Sequence, residues 1–257
     1  MFRVVIPARF ASSRLPGKPL QQIAGKPLLQ WVYEVAQASG AAETLIATDD
    51  ERILAAAALF GAPARMTSLT HVSGTDRIAE VALQSGWGED DIVVNLQGDE
   101  PLMPPELVGQ VAGLLETHVD AAIATLASRI GSVQALMDPN TVKVVTDTQG
   151  RALYFSRAPI PWGRDSAPAG IVSQRSAQGA RRHIGLYAYR VSALRRLSLL
   201  PPTPLETLER LEQLRALEHG LAIRVADAIA QPGPDVNTPE DLARVSRLLE
   251  NSPEHST

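Results

Sequence analysis

Short β-branched runs alternate with helical patterns through the first half of this chain. The pattern predicts strands near Arg3–Ile6, Thr44–Ala47, Arg65–Met66 and Ile92–Leu96. Between them it predicts helices near Pro27–Ala38, Glu51–Leu59, Thr75–Ser85 and Pro105–Thr117. Such alternation confines a chain to βαβ units, hence to an α/β fold with a doubly wound, mostly parallel sheet and helices on both faces. Ligands in such sheets bind beyond the carboxyl ends of the strands. Three polar segments fall at such ends: Arg9–Lys18, Thr48–Asp50 and Gln97–Pro101.

The first of these carries Arg9, Arg14 and Lys18, two hydroxyls and a glycine between an apolar strand and an amphipathic helix. Fixed cations beside backbone N–H groups and a helix N-terminus favour phosphates. A basic solvated turn is the plainer alternative. The loop matches neither of the two common glycine-rich phosphate binders.

Composition narrows the classes. The chain has 257 residues, enough for one large domain or two small ones, and 45% are hydrophobic, so a sizeable core can be buried. A net charge of −4 argues against a general nucleic-acid binder but leaves room for a local basic patch. Aromatic residues make up 4%, too few for base-stacking platforms. There is no cysteine, which excludes disulfides and thiolate metal sites. No apolar stretch approaches a membrane span and no signal-like N-terminus is present, so a cytoplasmic protein without membrane insertion is expected.

The second half reads differently. Val142–Thr146 and Ala152–Ser156 flank Asp147–Gly150 as a hairpin. The aperiodic stretch Trp162–Gln178 reads as a long loop, of a kind often functional inside compact domains. His183–Arg190 and Ala222–Ala226 read as strands, and Glu206–Glu218 and Pro239–Leu249 as helices. One domain over 1–250 with a small mixed insertion is expected, followed by a frayed tail at 251–257.

Asp99, after a strand and a turn glycine, reads equally as a Mg²⁺ ligand or as a cap for the next helix. Ser73-Gly74-Thr75-Asp76-Arg77 reads as a capped helix start. Taken together, Pro7-Ala8-Arg9, Ser12, Arg14-Leu15-Pro16-Gly17-Lys18, Ser73–Arg77, Gln97–Pro101, Leu153–Pro161, Arg182–Tyr187 and Leu211–Arg215 resemble, in order, the motifs of the sugar-acid cytidylyltransferases. The branch acting on 3-deoxy-manno-octulosonate (KDO) is the nearest. The resemblance spans Val4 to about Val245.

That resemblance implies transfer of CMP from CTP to KDO, a Mg²⁺ cofactor, a role in lipopolysaccharide assembly and a homodimer with contacts in the Arg157–Leu197 region. It implies that Arg9, Lys18 and Asp99 are catalytic. Ala8, Arg9, Ser12, Arg14, Lys18, Ser73, Thr75 and Arg77 would bind CTP. Gln97, Arg157, His183, Glu212 and Gln213 would face the sugar acid. For Arg157 a surface salt bridge is the plainer reading, for His183 a structural imidazole, and for Glu212 and Gln213 a solvated helix face.

Asn237 stands in Asp235-Val236-Asn237-Thr238-Pro239 where the family carries its second metal aspartate. Its carbonyl can still ligate Mg²⁺, and Asp235, two residues earlier, would restore the charge. Alternatively Asp235 or Thr238 caps the last helix. Activation of a related sugar acid such as 8-amino-KDO, or a nucleotide-sugar-binding module that has lost catalysis, are the alternatives; a glycosyltransferase lacks its Asp-x-Asp motif here.

Overall fold

A computed structural model describes residues 1–11, 14–167 and 169–251. In chain order, the strands and helices are β1 (Phe2–Ala8), β2 (Gln22–Ile23), β3 (Lys26–Pro27), α1 (Leu28–Ala38), β4 (Glu43–Thr48), α2 (Glu51–Leu59), β5 (Ala64–Met66), α3 (Gly74–Gln84), β6 (Ile92–Asn95) and α4 (Pro105–Thr117). There follow β7 (Ile123–Arg129), α5 (Val133–Met137), β8 (Lys143–Thr146), β9 (Ala152–Ser156), β10 (Arg181–Arg190), α6 (Val191–Leu199), α7 (Pro204–Glu209), α8 (Gln213–Glu218), β11 (Ile223–Asp227) and α9 (Pro239–Glu250).

The main sheet runs β11-β7-β10-β6-β1-β4-β5, with the β8–β9 hairpin attached through β10. β5, β4, β1 and β6 are mutually parallel, and β7 is parallel to β11. β10 runs antiparallel between β6 and β7. From β1 the chain winds outward through β4 to β5, then returns to place β6 on the other side of β1. The crevice between the ends of β1 and β6 is therefore the switch point at which an open α/β sheet takes its ligands.

Both faces of the sheet are covered. Ile6, Val94 and Leu126 pack under α1, α2 and α4, while Val5, Val93 and Ile223 pack under α3, α6 and α8. A third, smaller core joins Leu15, Ile23, Leu28 and Trp31 from the N-terminal part to Val236, Val245 and Leu249 near the C-terminus. The Trp31 indole N–H donates to the Ile23 carbonyl at 2.8 Å, which satisfies the polar end of an otherwise apolar side chain.

Two readings of the sequence need correction. Glu206–Glu218 is not one helix: it is α7 and α8, broken where Arg210 takes φ +53°. The break leaves Leu208 exposed while Leu211 and Leu214 are buried, an outcome a continuous apolar stripe does not allow. β7 and α6 carry no expectation from the sequence, yet both are central to the core. A 3-10 turn (Lys18–Leu20) and the β2–β3 hairpin separate the basic loop from α1, so the first helix's N-terminus does not adjoin the loop, and a phosphate there would be met by side-chain cations and loop backbone.

The β8–β9 hairpin is clamped by a buried lysine. Lys143 is inaccessible to solvent, and its ammonium donates to the carbonyls of Asp138, Thr141 and Arg157 at 3.0, 2.6 and 2.6 Å. Burial pulls its pKa below the usual lysine range. Lys143→Met is expected to leave these carbonyls unsatisfied and to cost about 2–3 kcal/mol, read as a lower denaturant midpoint. An unchanged midpoint would show that water replaces the ammonium there.

Candidate active site

The sequence places its polar loops at strand ends, and the topology brings them to one crevice. The loops after β1 and β6 pass so closely that a Cβ on Gly98 would sit 3.1 Å from the Pro7 carbonyl oxygen. Glycine at position 98 is what permits that approach. Gly17, at φ +64°, turns the basic loop back, with Phe10 packed against it and Arg52 stacked on the Phe10 ring.

Three adjoining compartments line the crevice. The first, a cavity of about 270 Å³, is walled by Ala8, Arg9, Arg14, Lys18, Asp99 and Asn237 among others. Lys18 Nζ lies 2.6 Å from Asp99 Oδ2, 3.1 Å from the Val236 carbonyl and 3.5 Å from Asn237 Oδ1. Arg14 donates to the same Asn237 oxygen at 2.9 Å. The backbone joins the loops too, since Val236 N–H donates to the Asp99 carbonyl at 2.9 Å. The Lys18 ammonium thus meets groups 81, 218 and 219 positions away along the chain.

That ammonium, held by a carboxylate, a backbone carbonyl and a side-chain carbonyl, stands in for a hard cation. The donors are all oxygen, which is the set Mg²⁺ takes. Asp99 and Asn237 therefore fit a metal. Asp235 is oriented differently: its Oδ2 accepts from Asn237 Nδ2 at 2.5 Å, which turns the amide oxygen toward the crevice. Thr238 caps α9 and pairs reciprocally with Asp241. Glu100, beside Asp99, has its carboxyl pushed up to about 8 by burial and by the charges of Asp99 and Asp235.

Ser73, Gly74, Arg77, His71 and Val72 meet Arg9 and Gln97 in the second compartment. Ser73 caps α3 by accepting from Asp76 N–H at 3.1 Å. Arg77 is buried and pinned: it donates to Asp49 Oδ2 at 2.7 Å and to the Thr67 hydroxyl.

The third compartment is lined by Thr75, Asn95, Gln97, Tyr187, Tyr189, Glu212 and Gln213, among others. Gln97 Nε2 donates to Asn95 Oδ1 at 3.1 Å, so a buried polar residue inside β6 sets the orientation of the crevice amide. Burial raises the Glu212 carboxyl, against the opposing effects of Thr75 and Arg215. The Tyr187 hydroxyl is buried without a partner among the described residues. His183 packs against the Tyr187 and Phe155 rings and contacts the Thr125 hydroxyl at 3.1 Å. Burial, with help from Arg182, pushes its imidazole down to about 3, so it is neutral.

Of the residues singled out from the sequence, Ala8, Arg9, Arg14, Lys18, Ser73, Thr75, Arg77, Gln97, Asp99, Glu212, Gln213 and Asn237 converge on the crevice. Ser12 lies outside the described residues. Arg157 is elsewhere: its Nε donates to the Glu209 carbonyl at 2.7 Å and an Nη to the Pro139 carbonyl at 2.9 Å. Sequence reasoning passed over Asn95, His71 and the tyrosine pair. Asn95 left a signal, a lone polar residue in an apolar run; the others left none outside a motif.

Residues 3–223 match a family described as Cytidylyltransferase. A 3-deoxy-manno-octulosonate cytidylyltransferase from Thioalkalivibrio sulfidiphilus is 55% identical over 248 residues, covering 96% of this chain and 98% of that one. One from Pseudomonas fluorescens is 55% identical over 249 residues, covering 97% and 98%. The solved structure of CMP:2-keto-3-deoxy-manno-octonic acid synthetase complexed with CTP superposes with a TM-score of 0.85 at 43% identity, covering 97% of this chain and 98% of that one. A cytidylyltransferase from Leptospira borgpetersenii shares the fold, with a TM-score of 0.63 at 15% identity over 97% of this chain and 86% of that one. Among the described residues, no helix is long and apolar enough to cross a membrane.

Proposed function

The chain belongs to the 3-deoxy-manno-octulosonate cytidylyltransferases, and on that premise we propose that the crevice transfers CMP from CTP to the anomeric hydroxyl of KDO. The product, CMP-KDO, serves lipopolysaccharide assembly. The observation that carries the reading is the convergence of Arg9, Arg14 and Lys18 on the cavity that also holds Asp99 and Asn237.

Each compartment has a task in this reading. The anomeric oxygen forms a bond to the α-phosphorus in line, the bond to the β-phosphate oxygen breaks, and pyrophosphate leaves with that electron pair. The hydroxyl proton passes to solvent; no protein base is assigned. Arg9, Arg14 and Lys18 hold the triphosphate and stabilise charge on the departing pyrophosphate. Asp99 and the Asn237 carbonyl would hold Mg²⁺, which when bound neutralises charge on the α-phosphate. Ser73 and Arg77 border the base, with Thr75 supporting them from the adjoining wall. Gln97, Glu212 and Gln213 present hydrogen-bonding groups to the sugar's hydroxyls, and neutral His183 braces the Tyr187 wall. Fixed positioning of the two reactants supplies much of the rate.

CTP with Mg²⁺ is expected to release pyrophosphate only when KDO is added, with UTP and ATP turned over far more slowly. Release without sugar acid, or none with it, overturns the reading. Comparison with 8-amino-KDO decides between close analogues.

Two further parts of the reading are proposals. One is a cytoplasmic location. A homodimer through the Arg157–Leu197 region is supported by the half-exposed Trp162 and the exposed Ile171 in that segment. Sedimentation at the mass of one chain would exclude it.

A further inference from the structure

The loop between β5 and α3 forms a wall of the second compartment, yet it has no regular structure of its own. Two side chains of α3, one turn apart, grip it. Arg77 takes Thr67 and Asp49. Glu80 takes the rest: its Oε2 accepts from the Ser68 N–H at 2.9 Å and meets His71 Nε2 at 2.5 Å. Its other oxygen accepts from Gln84 at 2.8 Å, which fixes the carboxylate's plane. Burial would raise this carboxyl, but the Ser68 N–H and His71 outweigh it and hold it below its ordinary value.

Glu80 does not line the nucleotide compartment, whereas His71 and Val72 do. Behind the same loop lies an outer cavity bordered by Val72, Leu83, Leu199 and Leu200. The loop is thus a thin partition with space on both sides. Val72, mostly exposed, adds little packing to hold it. Thr67 is also tied to the Thr48 carbonyl by its N–H and hydroxyl at 2.8 and 3.0 Å, and Ser68 and Thr70 bond each other within the loop. From Ser68 to Val72, the hydrogen bonds to the rest of the chain among the described residues are those to Glu80.

We propose that Glu80 is a positioning residue for nucleotide binding, acting through His71 by clasping the 67–73 loop against α3. This rests on the reading of the second compartment as the seat of the CTP base. A loop free to swing into the outer cavity would have to be ordered at each binding event, and that ordering weakens affinity. Chemistry at the α-phosphorus is untouched, because the clasp contacts neither phosphate nor sugar groups.

The test is a set of variants read by steady-state kinetics and by calorimetric CTP binding without sugar acid. Glu80→Gln keeps size and removes the charge that holds the loop. It is expected to raise the KM for CTP about tenfold, the loss of one charge-assisted hydrogen bond. kcat at saturating CTP should move by less than about twofold, with KM for KDO unchanged. His71→Ala should give the same pattern. The double variant should be no weaker than Glu80→Gln alone, since that change already removes the His71 contact. Calorimetric CTP affinity should fall in step with KM. An unchanged KM for CTP, a loss confined to kcat or to thermal midpoint, or additive effects in the double variant would overturn the proposal. Arg9→Ala separates the two levels: if it weakens CTP while Glu80→Gln does not, only the clasp fails; if it leaves CTP affinity intact, the compartment reading fails and the clasp with it.

Discussion

Asp99→Asn is expected to abolish most activity at any practical Mg²⁺ concentration, a loss on the order of 10³-fold or more. Among the described residues, Asp99 is the carboxylate lining the first cavity, and its Oδ2 is already turned to a cation at 2.6 Å. The fold should survive, because Val236 N–H binds the Asp99 backbone carbonyl, not the side chain. Mg²⁺ titrations of the variant and of Asn237→Asp form a pair. Asn237→Asp adds an anion to the same cavity and should lower the Mg²⁺ needed for half-maximal rate. The structure adds a condition, since the new carboxylate would face Asp235 across the 2.5 Å contact that the amide now bridges. Combining Asn237→Asp with Asp235→Asn removes that repulsion and should show the larger gain. If Asp99→Asn keeps activity at ordinary Mg²⁺, the metal assignment is wrong. If no change at 235 or 237 shifts the Mg²⁺ dependence, the C-terminal segment does not serve the metal.

Lys18→Ala should cost about 10²–10³ in kcat/KM, the usual loss for one preorganised charge facing the reacting group. The same ammonium bridges Asp99, Val236 and Asn237, so the variant also loosens two loops from each other. Folding should change little, because Leu15 below the loop stays packed against the small third core. A purified variant with native kcat and KM for CTP would remove Lys18 from the phosphate site.

Where contrast along the chain is strong, the fold was legible. α2 and α4 have the predicted limits, and β1, β4 and β6 differ from expectation only at their ends. β7 escaped because Ile123-Ala-Thr-Leu-Ala-Ser-Arg mixes alanines and hydroxyls with few β-branched residues, although it is buried between β10 and β11. Burial in the sheet, and not local propensity, makes it a strand. The α7–α8 break was illegible for a related reason: leucines at helical spacing fit a continuous helix until Arg157 binds the Glu209 carbonyl and Arg210 turns left-handed.

The crevice was legible in the loops and less so in its walls. Cations and carboxylates at strand ends announce themselves, and the switch point gathers them. Which partner an arginine chooses depends on distant backbone, as Arg157 and Arg77 both illustrate. The Glu80 contact to His71 was invisible for the same reason, since an exposed-looking glutamate on a helix carries no mark of the loop it will hold.

The small core built from Leu15, Ile23, Leu28 and Trp31 with Val236, Val245 and Leu249 has a consequence for the timing of activity during synthesis. The sheet through β6 can assemble while the ribosome is still translating the second half. The basic loop after β1, however, stays without its counterpart until the segment around Val236 has left the exit tunnel and α9 has docked. A nascent chain arrested before that point would hold nucleotide poorly and transfer nothing, however complete its sheet. Activity is therefore expected to wait on α9, whose Val245 and Leu249 complete this core.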